Sequence, residues 1–395
     1  DDPRSDGMSP VDLLDIAPFQ SSREHELFRG LRGREGLAFN QEPDGPGFWS
    51  LVRYADISAA AREGQLFISG QGTQIKDRRA EGHGAPSVHN SDGTLHSRLR
   101  SIVMPGLSRS VVERRTEAFA RIAEDLVLAA PRGEAFDYVD RIAVRLPMLV
   151  IADMLGVPPE EAPALVDSAN LMSDVNASDA EQAGARQHLF DYFRDLGALK
   201  RRQPADDLAT LLVEADFPEG EEPQQLLDAY FMLLTIAGNE TTRFLVTGGL
   251  AQLVRQGDYP LLRDHGELLP TATEEMCRFV SPVTHMRRTA SADTVIAGQA
   301  IAKGDKVVLW FASGNHDEKM FREAGRLVLD RKPNPHMGFG IGPHFCLGAH
   351  LARLETRLLF EALGRHIETI ELVGDPERLP SNWFTGWSAM KVRWQ

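Results

Sequence analysis

The chain of 395 residues has very few cysteines and no long apolar run. Its two cysteines, Cys277 and Cys346, exclude a disulfide framework and a paired Cys-x-x-Cys metal site. No apolar stretch approaches the ~18–20 residues that span a bilayer, and the first residues lack the basic and apolar parts of a signal peptide. We therefore expect a cytoplasmic protein without a membrane anchor, and a flexible segment over residues 1–8.

Basic residues are also in deficit, since 43 Lys and Arg face 57 Asp and Glu and leave a net charge of −14. Nucleic-acid binding depends on Lys and Arg that neutralise phosphates, so we do not expect a nucleic acid as partner. No Pro/Gly/Ser-rich linker and no fixed repeat divides the chain. We expect residues 1–395 to form one domain, and the protein to be a monomer.

Hydrophobic spacing indicates a mainly α-helical protein with small β-sheets, an α+β fold. Apolar residues three and four positions apart predict helices over residues 109–130, 139–155, 159–172, 181–201, 226–255 and 347–365. Short β-like segments are fewer, and lie at residues 48–52, 294–296 and 306–310. The polar segment 70–90, rich in Gly and His, predicts a mobile loop.

Cys346 lies in the glycine-rich run FGIGPHFCLG, residues 339–348, just before a predicted helix. Gly340 and Gly342 let the backbone bend and expose its N–H groups, and Gly348 permits close approach of a flat ligand. Backbone donors, a helix N-terminus and a bound metal all stabilise a thiolate. The alternative is a buried, inert cysteine. A dinucleotide loop is disfavoured, because the glycine spacing fails the G-x-G-x-x-G pattern.

A second run, AGNETT at residues 237–242, interrupts an apolar helix with polar groups. Ala237 and Gly238 leave room for a ligand against the helix backbone, and Gly238 weakens the helix by ~1 kcal/mol relative to Ala. The hydroxyl of Thr241 can compete for helical carbonyls and admit water. In the alternative interpretation, Glu240 and Arg243 are solvated on a surface turn.

Two further pairs have helical spacing. Glu275 and Arg278 form an ExxR pattern, which by itself is most often a weak surface ion pair. His96 and Arg100, four residues apart, share a helical face and could grip one carboxylate together. The alternative for the second pair is a polar helix start.

Together these motifs resemble the cytochrome P450 superfamily, and the likeness covers essentially the whole chain. Residues 339–348 are similar to its haem-binding signature FGxGxHxCxG, and residues 237–242 to its oxygen-helix motif AGx[DE]TT. The ExxR and HxxxR pairs occur in the family's order. The resemblance implies the single-domain, triangular-prism-like fold of soluble bacterial members and a haem b whose iron takes the Cys346 thiolate as its protein ligand.

The resemblance also assigns residue roles. Thr241 would act on dioxygen and its waters as a catalytic residue, with Glu240 relaying protons. The haem would be held by Cys346, by propionate contacts from His96, Arg100, Arg288 and His344, and by packing against Phe339, Gly340, Gly348, Ala237 and Gly238. Glu275 and Arg278 would be structural residues that hold the loops near the haem.

The implied activity is insertion of one oxygen atom from O2 into a hydrophobic small molecule such as a steroid, terpenoid or fatty acid. A ferredoxin and a ferredoxin reductase would supply electrons, docking near Arg98, Arg109, Arg114, Arg115, Arg353 and Arg357. By family topology the substrate pocket would include Leu233, Leu234, Ala237, Val283, Thr284, His285, Met286 and Thr385. A peroxide-driven peroxygenase and a non-catalytic haem-thiolate sensor remain as alternatives.

Overall fold

The computed structural model describes residues 11–77, 85–173 and 177–395 of the chain. The segment 1–8, and residues 78–84 of the predicted loop, lie outside the described residues. About 52% of the protein is helical, which confirms the mainly α fold class. None of the described helices combines the length and apolar composition needed to cross a membrane.

The α-helices are numbered in chain order. Those in the first half are α1 Ala17–Gln20, α2 Glu24–Arg32, α3 Tyr54–Arg62, α4 Gly93–Val103, α5 Arg109–Arg114, α6 Thr116–Ala129, α7 Arg145–Met154 and α8 Ala162–Ser173. Those in the second half are α9 Asp179–Arg202, α10 Leu208–Val213, α11 Pro223–Gln256, α12 Tyr259–Asp264, α13 Leu269–Val280, α14 Phe311–Asn315 and α15 Ala349–His366. Single 3-10 turns at Met104–Leu107, Gly266–Leu268 and Gly342–His344 and a π-helical turn at Val139–Ala143 join them.

The strands form small sheets beside the helices. They are β1 Ala38–Glu42, β2 Gly45–Leu51, β3 Phe67–Ile68, β4 Ala135–Asp137, β5 Met286–Ala290, β6 Thr294–Ile296, β7 Gln299–Ile301, β8 Lys306–Leu309, β9 Ile370–Leu372, β10 Glu377–Arg378, β11 Trp387–Ala389 and β12 Lys391–Trp394. The largest sheet has the order β1-β2-β8-β5-β3, in which β2 and β8 are parallel. A second sheet, β4-β12-β9, ties the chain end to its middle.

Most of the predicted elements are confirmed, with one clear error. The helices predicted over 181–201, 226–255 and 347–365 correspond to α9, α11 and α15, and the strand predicted at 294–296 matches β6. The single helix predicted over 109–130 is wrong, because the chain leaves helical geometry at Arg115 and forms α5 and α6 instead. Hydrophobic periodicity continues through this break, so spacing alone could not reveal it.

The long helix α11 runs through the core and is joined to α15 by a hydrogen bond between Thr242 and Glu355. Pro223 in its first turn presets a helical φ, and Gly257 ends it with a left-handed φ of 74°. Its side chains are buried on several faces, including Phe231, Leu245 and Leu250, as expected for a helix with apolar residues all round. α11 therefore gives the polar run 237–242 a rigid position inside the protein.

Glu275 and Arg278 on α13 form a buried ion pair with both side chains 0% exposed. The surface interpretation of this pair is therefore wrong. Two guanidinium nitrogens of Arg278 lie 2.8 Å from the two carboxylate oxygens of Glu275. The guanidinium also donates to backbone carbonyls of three loop residues, Asn315, Ala324 and Arg326. Because these loops lead into the Cys346 run, the pair fixes the approach to the site.

Replacing Arg278 with Ala should destabilise the protein strongly, because the buried Glu275 carboxylate keeps only Arg331 as a charged partner, at 2.9 Å, and three loop carbonyls lose their donor. Breaking a buried pair costs about 3–5 kcal/mol, whereas an exposed i,i+4 pair contributes well below about 1 kcal/mol. Arg109→Ala removes such an exposed pair, Arg109–Glu113 at 2.7 Å, and serves as the matched control. Urea titrations should show a much larger loss of unfolding free energy for Arg278→Ala. Equal losses in the two variants would contradict the structural role of the pair.

Candidate functional site

The Cys346 loop has a backbone conformation that depends on its glycines. Gly340 and Gly342 have φ values of 71° and 77°, in the left-handed region that disfavours other residues. A Cβ atom on Gly342 would also lie 2.3 Å from the carbonyl oxygen of Ala61 on α3. The loop closes where the Cys346 N–H donates to the Phe339 carbonyl at 2.9 Å. Sterics at these points therefore fix where the sulfur lies, just before α15.

Groups around Cys346 partly stabilise the thiolate form of its side chain. The residue keeps accessible surface, yet enough protein surrounds the sulfur that burial raises the pKa of the thiol. A hydrogen bond from the Gly348 N–H and the charges of Arg100 and Arg353 act in the opposite direction. These groups partly offset the cost of a thiolate, and a metal cation bound to the sulfur would complete its stabilisation.

Four donors predicted from the sequence come together beside this loop. The rings of His96 on α4 and His344 in the loop lie 4.2 Å apart. Burial lowers the pKa of His344 to about 3, and the charges of Arg288, His96 and Arg100 add to the effect. Burial also lowers the pKa of Arg100 and brings that of Arg288 to about 10. The two arginines therefore bring positive charge close to His344 in a poorly solvated place.

The described part of the chain provides little negative charge to balance this cluster. Neither Arg100 nor Arg288 has a carboxylate within ion-pair distance there, and the Nε2 atom of His96 is buried without a hydrogen-bond partner. The nearest acid, Asp92, already accepts from the backbone N–H groups of residues 69 and 70. A buried cation requires an anionic partner, and a buried unpaired polar atom requires a hydrogen-bond partner. Two carboxylates beside a thiolate-bound metal meet this requirement, so these residues fit haem b.

Helix α11 presents an open stretch of backbone within an otherwise buried helix. Ala237 is exposed, and a Cβ atom added at Gly238 would meet no atom within 4 Å. Thr241 donates its hydroxyl hydrogen to the Ala237 carbonyl at 2.7 Å, as expected for a threonine that competes for helical carbonyls. Glu240 is only half-buried. A small molecule could approach the helix backbone here, next to a hydroxyl and a carboxylate.

Glu355, which was not predicted as a site residue from the sequence, places a buried carboxyl group at the junction of α11 and α15. The Thr242 hydroxyl donates to Glu355 Oε1 at 2.8 Å, and Glu355 Oε2 has no partner among the described residues. Burial raises the pKa of Glu355 to about 8, against the smaller opposing effect of the Thr242 hydrogen bond. Glu355 lies on the apolar face of α15 beside Leu354 and Leu358. A carboxyl group on an apolar helix face is unusual, and this position in the sequence could have indicated a buried acid.

The predicted pocket segments 283–286 and 382–385 are neighbours in the structure. Thr284 and Thr385 share a hydroxyl hydrogen bond of 2.9 Å, and an isolated antiparallel bridge joins Val283 to Phe384. Leu233 and Leu234 are half-buried on α11, and Met286 begins β5. The substrate role of these residues stays a prediction.

His285 is engaged within the protein. Its Nδ1 atom lies 3.1 Å from the Asn382 carbonyl, and its ring lies 4.4 Å from that of Trp310. Burial lowers the pKa of His285 to about 3, so the ring is neutral at physiological pH. These contacts favour a structural histidine over a polar anchor for substrate.

Most of the arginines predicted to meet a redox partner have intramolecular carboxylate partners. Arg109 pairs with Glu113, Arg114 with Asp206, Arg115 with Asp153 and Arg353 with Glu274. In the described chain, Arg98 and Arg357 have no such partner. A cavity of about 290 Å³ opens on this side, lined by Arg109, Val112, Glu113, His350, Arg353, Leu354 and Arg357.

Comparison with known proteins agrees with this geometry. The family model described as Cytochrome P450 matches residues 262–382. Linalool 8-monooxygenase of Pseudomonas putida is 36% identical over 98% of this chain and 99% of its own length. Steroid C26-monooxygenase of Mycolicibacterium smegmatis is 35% identical, with 97% and 95% covered. A solved Mycobacterium marinum cytochrome P450 in complex with pseudoionone superposes with a TM-score of 0.88 at 33% identity, covering 98% and 99% of the two chains. The chain therefore belongs to the cytochrome P450 family and is a monooxygenase of that family.

Proposed function

We propose that this enzyme inserts one oxygen atom from O2 into a hydrophobic small molecule of the terpenoid, steroid or lipid type, using a haem b held by Cys346. One observation carries the proposal. The Cys346 sulfur lies near the guanidinium group of Arg100, and Arg100 and Arg288 both act on His344 in the same loop, while neither arginine has a carboxylate partner in the described chain. This charge arrangement suits a metal ligand next to two propionates.

His96, Arg100, Arg288 and His344 would hold the propionates, and Phe339 would pack beside the thiolate. When bound, a haem iron with a thiolate ligand supplies the activation of dioxygen. The cationic residues neutralise the propionates, and the glycine-bent loop fixes the sulfur. The protein thus provides charge balance and orientation for the cofactor.

Thr241 and Glu240 would handle protons on the α11 side. The Thr241 hydroxyl donates to the Ala237 carbonyl and leaves its oxygen lone pairs free to accept a hydrogen bond. Glu240, half-buried and adjacent in sequence, can exchange protons with water and pass them toward this hydroxyl. A positioned acid and alcohol are what a dioxygen-dependent reaction requires, because protons must be delivered as electrons arrive.

Apolar contact would hold the substrate. Leu233 and Leu234 supply apolar surface, whereas the polar groups of Thr284 and His285 are already bonded to Thr385 and Asn382. A pocket whose polar groups are satisfied internally favours a substrate with few polar groups. Similarity to a linalool monooxygenase and a steroid monooxygenase supports the same class.

A ferredoxin with its reductase would supply the electrons. The exposed Arg98 and the half-buried Arg357 have no carboxylate partner in the described chain, so their charges remain available to an acidic protein. Both lie among the arginines predicted to mark the docking side. Such charges act mainly on association rate and its salt dependence.

Thr241→Ala should uncouple oxygen consumption from product formation. The variant keeps the apolar pocket but loses the hydroxyl, so product per electron should fall by about 100-fold, within the range for general acid–base groups. Thr247→Ala is the matched control, because the Thr247 hydroxyl makes the same bond to a helical carbonyl, that of Arg243, at 2.9 Å. The measurement compares product formed with NADH consumed, using a surrogate ferredoxin system and a terpenoid that shifts the haem spin state.

Dioxygen-driven turnover should collapse in Thr241→Ala and persist in Thr247→Ala. Activity with hydrogen peroxide should survive in both variants, because peroxide already carries the protons. Equal loss in both variants would point to helix damage and contradict the proton role. Wild-type activity with peroxide alone would favour a peroxygenase, and no activity with either oxidant would favour a sensor.

Arg357→Glu should slow reduction by ferredoxin about tenfold at low salt, because charge reversal opposes association with an acidic partner. Arg365→Glu is the control on the same helix, since Arg365 is paired with Glu124 and Glu361. Stopped-flow reduction measures the rate, and the spin-state titration should show unchanged substrate affinity. Similar rates in the two variants at every salt concentration would exclude this docking side.

A further inference from the structure

A partly buried charge network connects α13 and α15 next to the Cys346 loop. Arg353 on α15 donates from Nε and from a terminal nitrogen to the two oxygens of Glu274 on α13, at 2.6 and 2.9 Å. His336 Nδ1 accepts from the Gly338 N–H at 3.1 Å, so the proton sits on Nε2, which donates to Glu274 at 3.0 Å. The Glu274 carboxylate therefore accepts hydrogen bonds from both Arg353 and His336.

The network reaches the sulfur through Phe339. The Arg353 guanidinium lies 4.4 Å from the centre of the Phe339 ring, a cation–π contact. The Phe339 carbonyl accepts the hydrogen bond of the Cys346 N–H at 2.9 Å. Arg353 thus contacts the Glu274 carboxylate on one side and, on the other, the ring of Phe339, the residue whose carbonyl is bonded to the Cys346 N–H.

Glu274 and Arg353 are both charged at physiological pH. Burial would raise the pKa of Glu274, but hydrogen bonds from His336 and Arg353 and the charge of Arg353 bring it down to about 2. Glu274 in turn raises the pKa of Arg353 against the effect of burial. The positive charge of Arg353 acts on the Cys346 sulfur, and the Glu274 carboxylate that Arg353 contacts offsets part of that charge. Arg353 is consequently engaged inside the protein, unlike Arg357 one turn later on α15.

We propose that Arg353 is a positioning residue that sets the electron density at the Cys346 sulfur, and through it the reduction potential of the bound haem iron, with Glu274 and His336 holding it in place. The inference rests on the proposed role of Cys346 as the iron ligand. A cation beside an anionic ligand withdraws electron density and favours the reduced iron. Removal of Arg353 should lower the potential, and removal of the Glu274 charge should raise it.

The experiment measures the midpoint potential of the haem-loaded protein without substrate, by spectroelectrochemical titration. The variants are Arg353→Gln, Arg353→Lys and Glu274→Gln, and Arg357→Gln serves as the control on the same helix. We expect a shift to more negative potential in Arg353→Gln, a much smaller shift in Arg353→Lys, a shift to more positive potential in Glu274→Gln, and none in Arg357→Gln.

Opposite signs for Arg353→Gln and Glu274→Gln separate an electrostatic role from a packing role, because loosening the loop would move both in one direction. Shifts of the same sign, or no shift in either, would overturn the proposal. If Arg353→Gln fails to bind haem, the other two variants test the proposal. It then requires a shift to more positive potential in Glu274→Gln and only a small negative shift in Arg353→Lys. The carbon monoxide spectrum of the ferrous wild type separately reports thiolate ligation, so failure of the proposed cofactor role is distinguishable from failure of this inference.

Discussion

The architecture of the site follows from the cost of burying charge without a counterion. Arg100 and Arg288 are cations in a poorly solvated place, and the described chain supplies no carboxylate to pair with either. The protein elsewhere solves this problem internally, as in the Glu275–Arg278 pair. Near the Cys346 loop, the charges of Arg100 and Arg288 have no such internal partner. The donors there suit a bound metal complex that carries two carboxylates. Charge balance thus links folding to cofactor binding.

Rigid elements place these charges. α11 carries the open backbone at Gly238 and the Thr241 hydroxyl, while α15 begins directly after the Cys346 loop. The Thr242–Glu355 hydrogen bond joins the two helices, so residues 237–242 on α11 and the Cys346 loop have a fixed relation. The loop itself is confined by its close approach to Ala61. A site assembled from distant segments needs such connections, since small displacements weaken catalysis.

Local patterns in the sequence predicted much of this, and long-range partners explain what they missed. The Cys346 loop, the extent of α11 and the clustering of the four donors follow from spacing, glycine placement and family resemblance. The ExxR spacing alone favours a surface pair, whereas the family resemblance gives Glu275 and Arg278 a structural role; their burial depends on loops that arrive from residues 315–326. Arg353 looked like a docking residue, yet its partner lies 79 residues earlier in the chain. Helical periodicity carries no information about such pairings.

Cys346 is proposed to provide the thiolate for a haem whose propionates balance the charges of Arg100 and Arg288. The direct test is the carbon monoxide difference spectrum of the reduced, haem-loaded protein, with Cys346→Ser and Cys277→Ser compared to the wild type. Cys277 is buried on α13 and serves as the matched cysteine control. The wild type and Cys277→Ser should show the red-shifted Soret band of thiolate ligation, and Cys346→Ser should lose it. A folded wild type without that band, or a Cys346→Ser variant that keeps it, would contradict the assignment of Cys346 as the iron ligand.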